Sequence, residues 1–435
     1  MRAPTTVRAP SAAFPELLAR AEAAFARREF REAVARLAEL DEALLNAWVA
    51  AEKSRGEAAA RAAAGIEAYA FYRRGLLRRL AARGGARIGP EALSALFQDS
   101  GGCRIFMFVT HECQLRCSYC HVTKNPARMS PEMVDAGVRL MLRSLRAEVE
   151  FHFFGGEPML AFDVVKRATL LAESLAARQR KKVRFLLTTN GIELGDDELR
   201  FLKDHRFTVE FSCDGAHESQ LRQRAPAGGR DYYARLQENL ARLRAAGVPH
   251  NVITVVMPKT AGSLFEKFRY LADLGHRRIQ INYALGSLWS RGARALFFRE
   301  MEAAANWAEE KGIEFTNMTA SRREPVILNG DLTLDCDGTL FRGPVLFNGG
   351  LTRETDGRRI REASAAESYA KVRELFFAGR IEGALLPDYY GATQFDNFVS
   401  LTQAYRGRPR SRAVILDNIE MGLRCRSFAA SWRRS

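Results

Sequence analysis

From about residue 104 the chain alternates between two hydrophobic periods. Short runs rich in β-branched and aromatic residues occur at 104–109 (R-I-F-M-F-V), 148–154 (E-V-E-F-H-F-F), 183–188 (V-R-F-L-L-T), 208–212, 252–256 and 278–282, and each predicts a strand. Amphipathic stretches follow them, the first two predicting helices over 130–146 and through Ala176. Strand, loop and helix repeated six times imply an α/β fold with a parallel sheet, a partial (β/α)6 TIM-like barrel. Upstream, Leu17, Leu18, Ala21, Phe25, Phe30, Val34, Leu37, Leu40, Leu44 and Leu45 recur at helical spacing, so residues 14–83 predict three or four antiparallel helices. G-G-A-R-I-G-P at 84–90 reads as a linker. The expected division is a helical N-terminal domain (1–100), the barrel (101–315) and a small C-terminal α+β cap (316–435). The N-terminal helices suit a packing or dimerisation surface better than a substrate-binding module.

In such a barrel, active residues gather on the loops at the C-terminal ends of the strands. C-Q-L-R-C-S-Y-C-H (113–121) follows the first strand, G-G-E-P (155–158) the second, T-N-G (189–191) the third, and S-C-D-G (212–215) ends the fourth. A G-G-E-P or N-G segment alone is an ordinary turn. Four polar or glycine-rich signals on one rim are harder to assign to turns.

Composition narrows the class. An apolar fraction of 47% over 435 residues suits a globular protein of two or three domains, and no apolar run approaches the roughly 20 residues of a membrane helix. No apolar h-region follows the N-terminal arginines, so the expected location is the cytoplasm. An excess of 66 Lys and Arg over 51 Asp and Glu gives a net charge of +15. That leaves an RNA or DNA partner open, but no basic run interleaved with aromatics supports one. Seven cysteines, an odd number with three inside eight positions, point to metal or redox chemistry rather than a disulfide framework.

Cys113, Cys117 and Cys120 are spaced C-x3-C-x2-C. A structural zinc site takes four ligands, and the nearest candidates for a fourth are His111 and His121, the latter abutting Cys120. Three thiolates on a short loop suit three corners of a [4Fe-4S] cube better. One iron would then keep an open coordination site for a small molecule with an amine and a carboxylate. Cys103 and Cys213 read as buried small hydrophobes, and His152 as a strand-face residue.

The loop C-Q-L-R-C-S-Y-C resembles the signature of the radical S-adenosylmethionine (radical SAM) superfamily, with Tyr119 as the aromatic before the last cysteine. The resemblance implies an enzyme holding a [4Fe-4S] cluster through Cys113, Cys117 and Cys120. Its cluster reductively cleaves S-adenosylmethionine to methionine and a 5'-deoxyadenosyl radical, which abstracts a substrate hydrogen. It further implies that Gly155, Gly156, Glu157 and Pro158 serve the methionyl amine, the glycines allowing close approach of the ligand. Asn190, Ser212 and Asp214 would serve the ribose, Tyr119 the adenosyl portion, and Arg222 or Arg224, with Arg224 preferred, the carboxylate. The stretch H-E-S-Q-L-R-Q-R-A-P-A-G-G-R-D-Y-Y-A-R-L-Q-E-N-L resembles the branch that modifies peptides and proteins and often carries a C-terminal SPASM domain. That branch implies a peptide or protein substrate, including ribosomally made precursors matured by cross-linking, epimerisation or oxidation. It also implies a reducing partner such as flavodoxin or ferredoxin.

SPASM-bearing relatives bind auxiliary clusters through several C-terminal cysteines, whereas only Cys336 and Cys425 follow Asn282 in this chain. In G-D-L-T-L-D-C-D-G-T-L-F-R-G, Gly343 stands where the resemblance leads one to expect a cluster cysteine. One cluster per chain and a degenerate SPASM-like cap are therefore expected. Cys336 is a candidate hydrogen donor, its thiol held protonated by Asp335 and Asp337. The same chemistry on RNA or a small metabolite, and a non-catalytic protein whose metal merely staples the loop, are the alternatives.

Overall fold

The computed structural model describes residues 104–319 except 121, 143, 145 and 146, residues 331–342 except 339, residues 409–432, and a few positions between 19 and 32. Most of the expected N-terminal helices, the 84–90 linker, Cys103, His121, Gly343 and most of the expected cap lie outside the described residues.

The strands are β1 (Arg104–Thr110), β2 (Leu115–Cys117), β3 (Glu148–Gly155), β4 (Lys182–Thr189), β5 (Thr208–Ser212), β6 (Arg224–Pro226), β7 (His250–Val256), β8 (Arg278–Tyr283), β9 (Glu314–Phe315), β10 (Leu332–Leu334) and β11 (Leu340–Arg342). The longer helices are α1 (Pro131–Leu142), α2 (Phe162–Arg178), α3 (Asp196–Asp204), α4 (His217–Gln223), α5 (Tyr233–Ala245), α6 (Leu264–Asp273), α7 (Arg291–Lys311) and α8 (Pro409–Trp432). All six strands expected from the sequence form, and β1, β3, β4, β5, β7 and β8 pair in that order, each pair parallel. Among the described residues the nine-stranded sheet is open, with β11 and β9 at its edges, so the fold is a partial barrel of α/β type.

Alternation along the strands decides which side chains meet the helices. Ile105, Met107 and Val109, then Val149, Phe151 and Phe153, then Phe185 and Leu187, then Val209 and Phe211 all enter one apolar core with Val165, Ala168 and Ala172 of α2. Within it Phe153, Phe185 and Phe207 stack with ring centroids 5.2–6.4 Å apart. Intervening positions make an opposite face that mixes polar and aromatic side chains. There Arg104 pairs with Glu150, His152 packs on Phe106 at 4.5 Å, and Thr188 Oγ1 lies 2.7 Å from both His152 Nε2 and Glu210 Oε2. His152 is thus the strand-face residue its run implies.

Two features escaped the periodicity. β10 pairs parallel with β1, Ile105 opposite Leu332 and Met107 opposite Leu334, and β11 returns antiparallel to it. Residues 332–342 therefore extend the sheet itself, although the sequence places them in a cap; three-residue strands carry too little pattern to declare a long-range partner. At the other side α8 grips the loop after β8. Asn418 Oδ1 accepts from the Gly286 N–H at 2.9 Å, Asp417 Oδ2 accepts from the Trp289 N–H at 2.5 Å, and Arg294 pairs with Asp417. No described helix is long and apolar enough to cross a membrane.

Replacing fully buried Phe153 by Ala should cost about 3–5 kcal/mol, through lost burial and the cavity left between Phe185 and Phe207. Urea unfolding of the cluster-free protein checks it, and a midpoint equal to that of the wild type would contradict the stacking argument.

Candidate active site

The loop bearing the three cysteines leaves β1 and is closed at its base by backbone geometry. The Ala127 carbonyl accepts from the His111 N–H at 2.9 Å and from Thr110 Oγ1 at 2.8 Å. Inside the loop β2 pairs antiparallel with β6, setting Cys117 opposite Arg224, and the Ser118 N–H donates to the Gln223 carbonyl at 2.8 Å. The loop after β1 is thereby stitched to the one after β5.

The G-G-E-P segment is stitched to it as well. The Gly156 N–H donates to the Thr110 carbonyl at 2.7 Å and the Glu157 N–H to the Glu112 carbonyl at 2.8 Å. A Cβ on Gly156 would lie 2.0 Å from the Glu112 oxygen, and Gly155 has a φ of +131°. The sequence assigns these glycines to close approach of a ligand; the structure shows them admitting the backbone that leads into Cys113.

Glu157 is buried, and its carboxylate organises the second and third loops. Oε1 accepts from the Met159 N–H at 3.1 Å and from Thr189 Oγ1 at 2.7 Å, while Oε2 accepts from the Asn190 N–H at 2.7 Å. Pro158 opens the short 3-10 turn Pro158–Ala161 that Glu157 caps. Burial pushes the Glu157 carboxyl up to about 7, and the three hydrogen bonds offset this only partly. Asn190 Oδ1 accepts from the Ile192 N–H at 3.1 Å, and its Nδ2 donates to Gln114 Oε1 at 3.3 Å. Gly191, at φ +74°, is required because a Cβ would fall 1.9 Å from the Phe211 ring.

Asp214 is the polar hub of the rim. Oδ2 accepts from Tyr119 Oη at 2.6 Å, Gln223 Nε2 at 2.9 Å and Arg224 Nε at 2.9 Å. Oδ1 accepts from the Val255 N–H at 2.8 Å, and from Arg224 Nη2 and Thr254 Oγ1 at 3.3 Å each. Burial raises its pKa, but Arg224, Lys267 and Tyr119 outweigh burial and hold the carboxyl below its ordinary value of 3.8. The Arg224 guanidinium lies 5.3 Å from the Tyr119 ring centre. Of the two arginines singled out, Arg224 stands beside the cysteines, whereas Arg222 is exposed. Among the described residues none hydrogen-bonds the hydroxyl of Ser212, at the C-terminal end of β5.

The three cysteines are half-buried. Burial pushes the Cys117 thiol up to about 12 and raises that of Cys113, with smaller upward contributions from the neighbouring cysteines. Arg224 and Lys124 pull the other way without reversing the shift. Cys113 and Cys117 thus stay protonated until a metal centre supplies positive charge, and soft sulfur donors on one loop fit an iron–sulfur cluster. Cys213 is fully buried and Cys425 packs against the core; burial raises both thiols, to about 11 and about 12. Cys336 is 5% exposed and its thiol donates to the Phe108 carbonyl at 2.9 Å, so the hydrogen donor suggested by the sequence is turned into the sheet edge. Its pKa is raised as expected, but burial is the larger cause and Asp335 and Asp337 the smaller.

Residues 107–268 match the radical SAM superfamily. The chain carries a radical SAM domain. Over 191 residues it is 26% identical to the cysteine-type anaerobic sulfatase-maturating enzyme of Clostridium perfringens (strain 13 / Type A), covering 41% of this chain and 50% of that one. Over 221 residues it is 29% identical to the PqqA peptide cyclase of Xanthomonas axonopodis pv. citri (strain 306), covering 49% and 54% respectively. The chain thus spans about half the length of the curated relatives it matches. The structure of native anSMEcpe with bound AdoMet and Kp18Cys peptide superposes with a TM-score of 0.51 at 16% identity, covering 72% of this chain and 98% of that one, a likeness of fold. The radical SAM domain contains all four rim signals.

Asp214→Ala would leave the buried Arg224 without its partner and should lower the stability of the cluster-free protein by about 3–5 kcal/mol. Because the folded-state pKa of Asp214 is depressed, that contribution is present above its ordinary value of 3.8 and is lost as pH falls through the folded value. Melts of wild type and variant at neutral and acid pH should therefore converge on acidification.

Proposed function

We propose that this chain is a radical SAM enzyme acting on a peptide or protein substrate. Cys113, Cys117 and Cys120 would hold a single [4Fe-4S] cluster. When bound, the cluster and S-adenosylmethionine supply one-electron reductive cleavage and hydrogen-atom abstraction. The observation that carries the reading is the joining of all four rim segments to the cysteine loop or to one another by buried hydrogen bonds.

The chain's own residues position the cofactor. Glu157 Oε2, engaged by one donor, is assigned to the methionyl ammonium together with the Gly155–Pro158 segment. Ser212 and Asn190 are assigned to the ribose. Asp214, Tyr119 and Arg224 are assigned a positioning role, since their polar groups are engaged with one another. A peptide or protein substrate is supported by the named activities of the matched relatives. Maturation of a precursor by cross-linking, epimerisation or oxidation fits that class. A flavodoxin or ferredoxin in a reducing cytoplasm would provide the electron.

Anaerobic reconstitution should give roughly four irons per chain, a cluster spectrum that responds to S-adenosylmethionine, and release of methionine and 5'-deoxyadenosine under reduction. Cys113→Ala should abolish all of these. A protein that binds zinc alone, or a cluster indifferent to S-adenosylmethionine, would refute the reading. Mass spectrometry of a candidate peptide co-expressed with the enzyme tests the substrate class.

Glu157 adds a pH signature. An ammonium prefers the ionised carboxylate, so affinity for S-adenosylmethionine should weaken as pH falls through about 7, by up to about tenfold per unit. Glu157→Gln should bind more weakly and lose this slope, as equilibrium dialysis at several pH values would show.

A further inference from the structure

Two residues before Cys113, a side chain meets a turn from more than 200 positions downstream. His111 Nε2 lies 2.5 Å from Asp335 Oδ1, and His111 Nδ1 lies 3.2 Å from Asn125 Nδ2. The Asn125 amide is oriented by its own loop, because its Oδ1 accepts from the Ala127 N–H at 2.8 Å. Its NH2 group therefore faces the imidazole, Nδ1 accepts, and the ring proton sits on Nε2, donated to Asp335. The same Asp335 oxygen accepts from the Cys336 N–H at 2.7 Å, and the Cys336 thiol donates to the Phe108 carbonyl. These contacts join the entry of the cysteine loop at His111, its exit at Asn125 and Ala127, and the turn that follows β10. Parallel pairing brings the turn there, since Leu334, immediately before Asp335, lies opposite Met107 of β1.

His111, Asp335 and Cys336 are buried, and each brings one metal-ligating atom within 4.8 Å of the others. A protonated Nε2 has no lone pair to offer a metal, however, and a thiol donating to a carbonyl is not a thiolate. The hydrogen-bonded arrangement is the one that agrees with the orientation of Asn125.

We propose that the Asp335–Cys336 turn is a latch on the neck of the cysteine loop, with Asp335 a positioning residue acting through His111. Pinning the neck orders the loop beforehand, so convergence of Cys113, Cys117 and Cys120 on a shared ligand costs less conformational entropy. Only the consequence for cluster retention rests on the radical SAM reading; the latch itself is a property of the cluster-free chain.

The test compares the full-length wild type, Asp335→Asn and Asp335→Leu by two measurements. One is amide hydrogen exchange without the cluster, and the other is the rate at which a chelator strips iron from the anaerobically loaded protein. Asparagine keeps an acceptor for the Nε2 proton and should stay within about twofold of wild type, whereas leucine should speed both exchange over 111–127 and iron loss by about tenfold or more. Amides of β4 and β5 should exchange as in wild type in all three, showing an intact sheet. If the leucine variant fails to fold, His111→Phe breaks the same bond from the other side and should loosen the same residues. Unchanged exchange over 111–127 overturns the latch. So does stoichiometric zinc in the cluster-free wild type that disappears in Asp335→Leu, which would make the trio a metal site. A wild type that takes up no cluster would remove the proposed function, and the exchange comparison would still decide the latch.

Discussion

One buried carboxylate ties the functional rim together. Asp214, just after β5, takes hydrogen bonds from Tyr119 in the cysteine loop, from Gln223 at the end of α4 and Arg224 after it, and from Thr254 and the Val255 N–H in β7. A buried charge is expensive unless paired and fully hydrogen-bonded, so all these groups must assemble together or not at all. The arrangement converts a desolvation cost into a geometric constraint, because the cysteine loop cannot move without taking the Tyr119 hydrogen bond from a buried charge. Arg224 serves both purposes, pairing with Asp214 and forming the strand partner of Cys117.

Glu157 plays the matching role on the other side of the loop with the opposite electrostatic outcome. No described cation hydrogen-bonds it as Arg224 does Asp214. Three hydrogen bonds and a weaker pull from Lys124 do not fully repay its burial, so its pKa rises where that of Asp214 falls. A carboxylate left short of compensation is receptive to a cationic group. One acidic side chain builds the rim and the other is poised on it, a division that follows from their neighbours, not their residue type.

The sheet edges supply the remaining restraint. β10 adds to the sheet beside β1 and delivers Asp335 and Cys336 to the base of the cysteine loop, while α8 secures the loop after β8 through Asp417 and Asn418. Segments distant in sequence thus hold the first and the last loops of the six-unit core. Without β10 and β9 the outermost strands of that core, β1 and β8, would each be an edge strand.

Much of this was legible in the chain itself. Six strands, their parallel order, the rim position of four motifs and the family resemblance all follow from alternating apolar runs and from residues within a few positions of one another, because strand burial and turn chemistry are local physical demands. The spacing of Cys113, Cys117 and Cys120 belongs to the same class. Tertiary structure alone decided what each polar group faces. It turned Gly155 and Gly156 toward the backbone of 110–112, closed Asp214 on Arg224, turned Cys336 into the sheet edge, and inserted residues 332–334 beside β1. Those outcomes depend on contacts between residues from 10 to 228 positions apart, and a hydrogen bond leaves no periodic trace along the chain that makes it.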